Sequence, residues 1–264
     1  MEEQSRKIAE TLRHIKHKIL VMSGKGGVGK SSVAAYLAVV LAKRGYRVGL
    51  MDIDLHGPSI PRILGLSGSL GFGGREGKIR PAKYLPNMEV ISIETLLGEN
   101  KDTATIWRGP LKISAIKQFI SEIDWADLDY LVIDSPPGTG DEPLTVAQTI
   151  SDAKALIVTT PQEISLADVR KSLNFCRQTK MEILGMVENM SGLKRPYCGK
   201  IIDVFKTCGG QETAAKENLR LLATLPLELE AVKEGDAGDI SLLDNEGLPI
   251  AQEFNRSILP AGTN

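Results

Sequence analysis

The chain has 264 residues and a formal net charge of −1, from 32 Lys and Arg against 33 Asp and Glu. A charge so near zero supplies no global attraction to nucleic acid or acidic membranes, and no linear basic run marks a patch for either. Three cysteines, Cys176, Cys198 and Cys208, are too few for a disulfide framework and point to a reducing cytoplasm. The longest apolar stretch, 33–42, is too short to cross a bilayer, and no signal-peptide pattern opens the chain.

The length suits a single domain over 1–264, with an N-terminal helix to residue 16 packed outside a core of 17–264. His14 and His17 are expected in that charged helix, facing solvent. Residues 18–22 (KILVM) are a short apolar run suited to a buried strand. Gly24-x-x-x-x-Gly29-Lys30-Ser31 follows, within GKGGVGKSS, and fits the phosphate-binding loop whose backbone N–H groups wrap an oligophosphate. After the loop, Val33, Leu37, Val40 and Leu41 recur at the spacing of an amphipathic helix. Strand, glycine loop and helix in that order place the phosphates at a helix N-terminus.

Candidate nucleotide contacts are therefore Gly24, Lys25, Gly26, Gly27, Val28, Gly29, Lys30, Ser31 and Ser32. Lys30 is expected to reach the β- and γ-phosphates and the Ser31 hydroxyl to ligate Mg²⁺. Lys25 is an additional cation near the start of the loop, at a position that carries no particular chemistry in an ordinary loop of this kind.

Further strand candidates lie at 47–53, 89–93, 129–134, 155–160, 182–187 and 220–225, with helical segments between them. Runs such as 130–133 and 155–158 are continuously apolar, as in strands buried on both faces. The expected fold is an α/β three-layer sandwich, a doubly wound, mostly parallel sheet of about seven or eight strands. The segment 65–77 is Gly-rich and reads as a loop or excursion.

In open α/β sheets, ligands sit beyond the carboxyl ends of the strands. Asp134 ends one such run and is expected to hold Mg²⁺ through its water shell. The stiff-then-flexible segment Ser135-Pro136-Pro137-Gly138-Thr139-Gly140-Asp141 after it can sense a γ-phosphate. Asp54 is the candidate to orient an attacking water, with Asp52 supporting it. Leu166, Val169, Leu173 and Cys176 follow helical spacing, so Cys176 reads as a small buried hydrophobe.

Taken together, GKGGVGKSS, Asp52-Ile53-Asp54-Leu55-His56-Gly57-Pro58-Ser59, Trp107-Arg108-Gly109-Pro110, the Ile133–Asp141 segment, 159–163 (TTPQE), 188–191 (ENMS) and 234–238 (EGDAG) resemble the Mrp/ApbC family of P-loop ATPases. That family falls in the larger group of MinD, ParA and the nitrogenase iron protein. The resemblance implies a cytoplasmic homodimer closing around two ATP molecules, with Lys25 reaching the partner's nucleotide as an arginine finger does. It implies that Asn189 reads adenine. It also implies a [4Fe–4S] cluster at the dimer interface, held by a Cys-x-x-Cys pair from each subunit, and apo iron–sulfur proteins as acceptors.

At the cysteine pair the chain departs from the family. Arg195 stands where the first cysteine is expected, and Cys198 remains; an arginine cannot ligate iron. Cys208 can supply the missing thiolate if the loop folds back. A Cys198/Cys208 metal site, an incomplete site and no metal all stay open, and zinc suits the same ligands. A MinD- or ParA-like spatial or partition regulator is the alternative class. The tail 248–260 is proline-interrupted and poor in lysine, which disfavours a basic membrane anchor.

Overall fold

The computed structural model describes residues 2–55, 57–66, 77–94, 109–195, 198, 200–202 and 209–227. The strands are Ile15–Met22 (β1), Val48–Asp52 (β2), Ala82–Leu85 (β3), Met88–Ser92 (β4), Leu128–Asp134 (β5), Lys154–Thr159 (β6), Ile183–Glu188 (β7), Leu193–Lys194 (β8), Ile201–Ile202 (β9) and Leu221–Thr224 (β10). The helices are Glu2–Leu12 (α1), Lys30–Lys43 (α2), Ile60–Ile63 (α3), Gly109–Glu122 (α4), Asp141–Thr149 (α5), Glu163–Thr179 (α6) and Gly209–Lys216 (α7).

Eight strands form one sheet in the order β10-β7-β6-β1-β5-β2-β4-β3, with β8 and β9 pairing separately as a small antiparallel hairpin. Every pairing in the large sheet is parallel except β3 with β4. This is the expected doubly wound α/β sandwich. Alternate side chains explain its two cores. Leu20 and Met22 of β1 join Leu131, Ile133 and Ile157 on the face covered by α1, α4, α5 and α6. Ile19 and Val21 join Val132, Leu156 and Val158 under α2 and α3. The continuous apolar runs are thus strands with both faces buried.

Each of the seven strand candidates corresponds to an observed strand. The eighth, β3, is a short, half-exposed edge strand with no apolar run to announce it.

The N-terminal helix is shorter than expected. It stops at Leu12, and by Ile15 the chain has entered β1, where Ile15 pairs with Leu128. The sheet partner overrides the local charge pattern. His14 and His17 accordingly lie outside the helix: His14 Nδ1 is 3.2 Å from Asp127 Oδ1, and His17 on β1 sits 5.0 Å from the Tyr130 ring. The loop helix α2 also differs from a one-faced pattern. Ala34, Ala35 and Ala38 are buried along with Val33 and Leu37, while Val40 is only half-buried. Small side chains let this helix lie close against the sheet.

Cys176 is fully buried in α6, its thiol 3.6 Å from the Met22 sulfur, and burial pushes its pKa up to about 11. It is packing, as its spacing indicates. No helix among the described residues is long and apolar enough to cross a membrane. Most of the Gly-rich segment (67–76), His56, Trp107, Arg108, Cys208 and the tail beyond 227 lie outside the described residues.

Candidate nucleotide-binding site

The carboxyl ends of β1, β2 and β5 meet at one edge, and parallel register fixes what stands there. Val21 of β1 pairs with Asp134 of β5, and Asp134 pairs with Asp52 of β2. Between β1 and α2 the chain turns through Ser23–Gly29. Gly29 adopts φ 77°, ψ 27°, a left-handed conformation that favours glycine. A Cβ there would also lie 2.2 Å from the Asn189 amide nitrogen. At the loop's entry a Cβ on Gly24 would lie 2.2 Å from the Asp168 carbonyl oxygen, so α6 presses directly on the loop.

The loop is braced on several sides. Asn189 Nδ2 donates to the Val28 carbonyl at 2.9 Å. Gly138 N–H donates to the Ser23 carbonyl at 2.8 Å, and the Ser135 hydroxyl to the Val21 carbonyl at 2.9 Å. The 135–140 segment is therefore tied once to the loop and once to the end of β1. The Ser23 hydroxyl donates to the Lys25 carbonyl at 2.8 Å. A cavity of about 310 Å³ opens above, lined by Lys25, Gly26, Gly27, Gly29, Lys30, Ser31, Ser32, Asp54, Ser59 and Pro137 among others. The start of α2, where the first amides of a helix lack intrahelical partners, borders this cavity, and an anion is favoured there.

Lys30 is buried at the base and pairs with Asp134, Nζ to Oδ1 2.5 Å; Nζ also lies 3.4 Å from Ser31 Oγ. This direct ion pair has no trace in the sequence, since 104 residues separate the partners. Asp134 is fully buried, and its second oxygen, Oδ2, has no hydrogen-bond partner among the described residues. Burial raises its pKa, and Lys30 opposes that rise. An orphaned carboxylate oxygen beside a serine hydroxyl fits a hydrated Mg²⁺, a hard cation that takes oxygen ligands and keeps several waters.

Asp52 holds the next loop in place. Its Oδ1 accepts the Asp54 N–H at 3.0 Å, and its Oδ2 accepts from Ser59 and Ile60 at 3.0 and 3.1 Å. It thus holds the backbone of Asp54 and anchors the start of α3. Burial, with Asp134 alongside, pushes its pKa up to about 8. Asp54 lines the cavity, and its Oδ1 accepts the Gly57 N–H at 3.2 Å.

Lys25 lines the same cavity, with Nζ 3.3 Å from Gln162 Oε1. Gln162 is a partner that sequence reasoning missed; its signal was only its place in the 159–163 motif. Also missed was Glu188, whose carboxylate accepts the Ser191 hydroxyl at 2.7 Å and the Gly210 N–H at the start of α7.

Cys198 is exposed and unpaired by any disulfide, between β8 and β9. The Arg195 N–H donates to the Lys200 carbonyl at 3.0 Å, closing the hairpin around it. Among the described residues no group of three His, Cys, Asp or Glu could hold a metal, and Cys208 lies outside them.

A glycine loop with a buried lysine, a serine at the helix start and a carboxylate on the neighbouring strand define a P-loop nucleoside triphosphatase. Within that class the chain belongs to the ParA family of NUBPL iron-transfer P-loop NTPases, which it matches over residues 14–259. It is 43% identical to an iron–sulfur cluster carrier protein of Methanocaldococcus jannaschii over 98% of this chain and 88% of that one. It is 44% identical to the cytosolic Fe–S cluster assembly factor CFD1 of Saccharomyces cerevisiae, over 88% and 82% of the two chains. A nucleotide-binding protein from Archaeoglobus fulgidus, solved in complex with ADP, superposes with a TM-score of 0.82 at 38% identity, covering 97% and 98%.

Proposed function

We propose that this protein is an ATP-binding and ATP-hydrolysing homodimer that carries iron–sulfur clusters to apo-protein acceptors in the cytoplasm. The observation that carries the reading is a short covalent path. Asn189, whose amide braces the phosphate loop, is followed four residues later by β8, which leads to Cys198. A change at the loop is thereby transmitted to the exposed thiol through one strand end. The relatives named above, a cluster carrier and a cluster assembly factor, support the same direction.

In this reading the glycine-loop amides and Lys30 bind the phosphates, Lys30 exchanging Asp134 for the β/γ oxygens. Ser31 and the freed Asp134 hold Mg²⁺, which when bound neutralises charge between the phosphates. Asp54 orients the attacking water. Lys25 leaves Gln162 and meets the nucleotide of the second copy, so that hydrolysis depends on association. Asn189 reads adenine, because an amide both donates and accepts at one base edge.

The cluster is cargo. Two copies of Cys198 supply two thiolates, and Cys208 of each copy completes four, the number a [4Fe–4S] cluster takes. Because Arg195 stands in place of the first cysteine, the four thiolates come from two separate stretches of each copy and not from one Cys-x-x-Cys pair per copy.

Anaerobic reconstitution with iron and sulfide, followed by transfer to an apo acceptor with and without ATP, tests the proposal. Cluster uptake lost in Cys198→Ala, with transfer that responds to ATP, is the expected result. Zinc retention without cluster uptake, or no uptake in any nucleotide state, contradicts it.

A further inference from the structure

A second cavity, of about 430 Å³, lies at the opposite end of β1 from the phosphate loop, between α1, α4 and the end of α5. From Lys18 to the end of β1 at Met22 the strand rises about 13 Å, and the two cavities share no lining residue, so they are separate. Its chemistry is distinctive. Ile8 and Leu12 of α1 give one apolar wall. Lys18 is buried, with Nζ 2.7 Å from Asp152 Oδ2 and 3.0 Å from the Ile15 carbonyl, which neutralises the one carboxylate in the lining.

Two further cations in the lining, Arg13 and Lys117, make no ion pair with any described residue. Arg13 donates only through Nε, to His14 Nε2 at 2.9 Å, leaving its terminal nitrogens available. Thr149, the last residue of α5, also lines the cavity, with its hydroxyl oxygen closed off from solvent. The cavity therefore offers two cations without ion pairs among the described residues and an apolar wall within one concave space.

We propose that this cavity binds a small organic dianion, a dicarboxylate with a short apolar backbone. The two carboxylates meet Arg13 and Lys117, and the carbon chain lies on Ile8 and Leu12. Charge-assisted hydrogen bonds to carboxylates are stronger than neutral ones, and an Arg fork suits their geometry. A bare inorganic anion would leave the apolar wall uncovered.

Calorimetric titration of full-length protein saturated with ADP and Mg²⁺ tests this, because the phosphate loop is then filled. The probes are succinate, 2-oxoglutarate and inorganic phosphate. Saturable binding of one dicarboxylate, and not of phosphate, is expected. Lys117→Glu should weaken it by at least about tenfold, and Arg13→Gln by several-fold, with ADP affinity unchanged in both as the check on folding. No saturable dicarboxylate binding, phosphate binding of equal strength, or binding indifferent to both substitutions overturns the proposal.

Discussion

Asn189 Nδ2 donates to the Val28 carbonyl at 2.9 Å, joining the end of β7 to the middle of the phosphate loop. The neighbouring Glu188 accepts from Gly210 N–H, the second residue of α7. Adjacent residues thus grip two different structures: one holds the nucleotide loop, the other the helix that follows the cysteine-bearing stretch. The brace on the nucleotide loop and the departure of the hairpin thus share one strand end.

Removing the brace should weaken nucleotide binding. Asn189→Ala loses one hydrogen bond to the loop, about 1 kcal/mol, and with it roughly fivefold in ADP affinity. Because Asn189 is also proposed to read the base, preference for ADP over GDP should shrink as well. Competitive titration with the two diphosphates checks both effects.

Glu188→Ala should destabilise the fold. It leaves the Gly210 N–H and the Ser191 hydroxyl without their buried acceptor. Losing a charged acceptor in the interior costs on the order of 1–3 kcal/mol. Glu188→Gln keeps one acceptor oxygen and should fall between the two. Urea denaturation of the nucleotide-free protein measures the difference.

Stability should depend on pH through Asp52. Its pKa is about 8 when folded against 3.8 ordinarily, so between those values the folded protein holds a proton that the unfolded chain has released. Unfolding free energy therefore falls as pH rises through that window. Asp129, held below its ordinary value first by its hydrogen bond from Lys16, has the opposite sign and acts at lower pH. Denaturation midpoints of nucleotide-free protein should decline across the window. Asp52→Asn should flatten the decline, at the expense of one acceptor for the 54–60 loop.

Much of this site was legible in the chain. GKGGVGKSS between an apolar run and a helical pattern fixes a local structure, because only glycines allow that turn and the turn decides where Lys30 and Ser31 sit. Asp134 and Asp54 could be placed because strand ends in a parallel sheet share one edge. Long-range pairings were not legible. Lys30 with Asp134, Lys25 with Gln162 and Glu188 with Gly210 depend on sheet order and on how α6 and α7 dock, which no local pattern encodes. The early end of α1 was missed for a related reason: Ile15 belongs to β1 by virtue of Leu128, a partner far along the chain.

In the proposed mechanism each ATP is cleaved between two copies, one binding it through Lys30 and the other contributing Lys25. Steady-state phosphate release from Lys30→Ala protein, Lys25→Ala protein and their mixture tests it most directly. Neither variant should turn over alone and mixing should restore turnover, because the Lys25→Ala copy binds ATP and the Lys30→Ala copy supplies the missing lysine. Mixtures no more active than their separate components, or a Lys25→Ala protein as active as the parent, would contradict it.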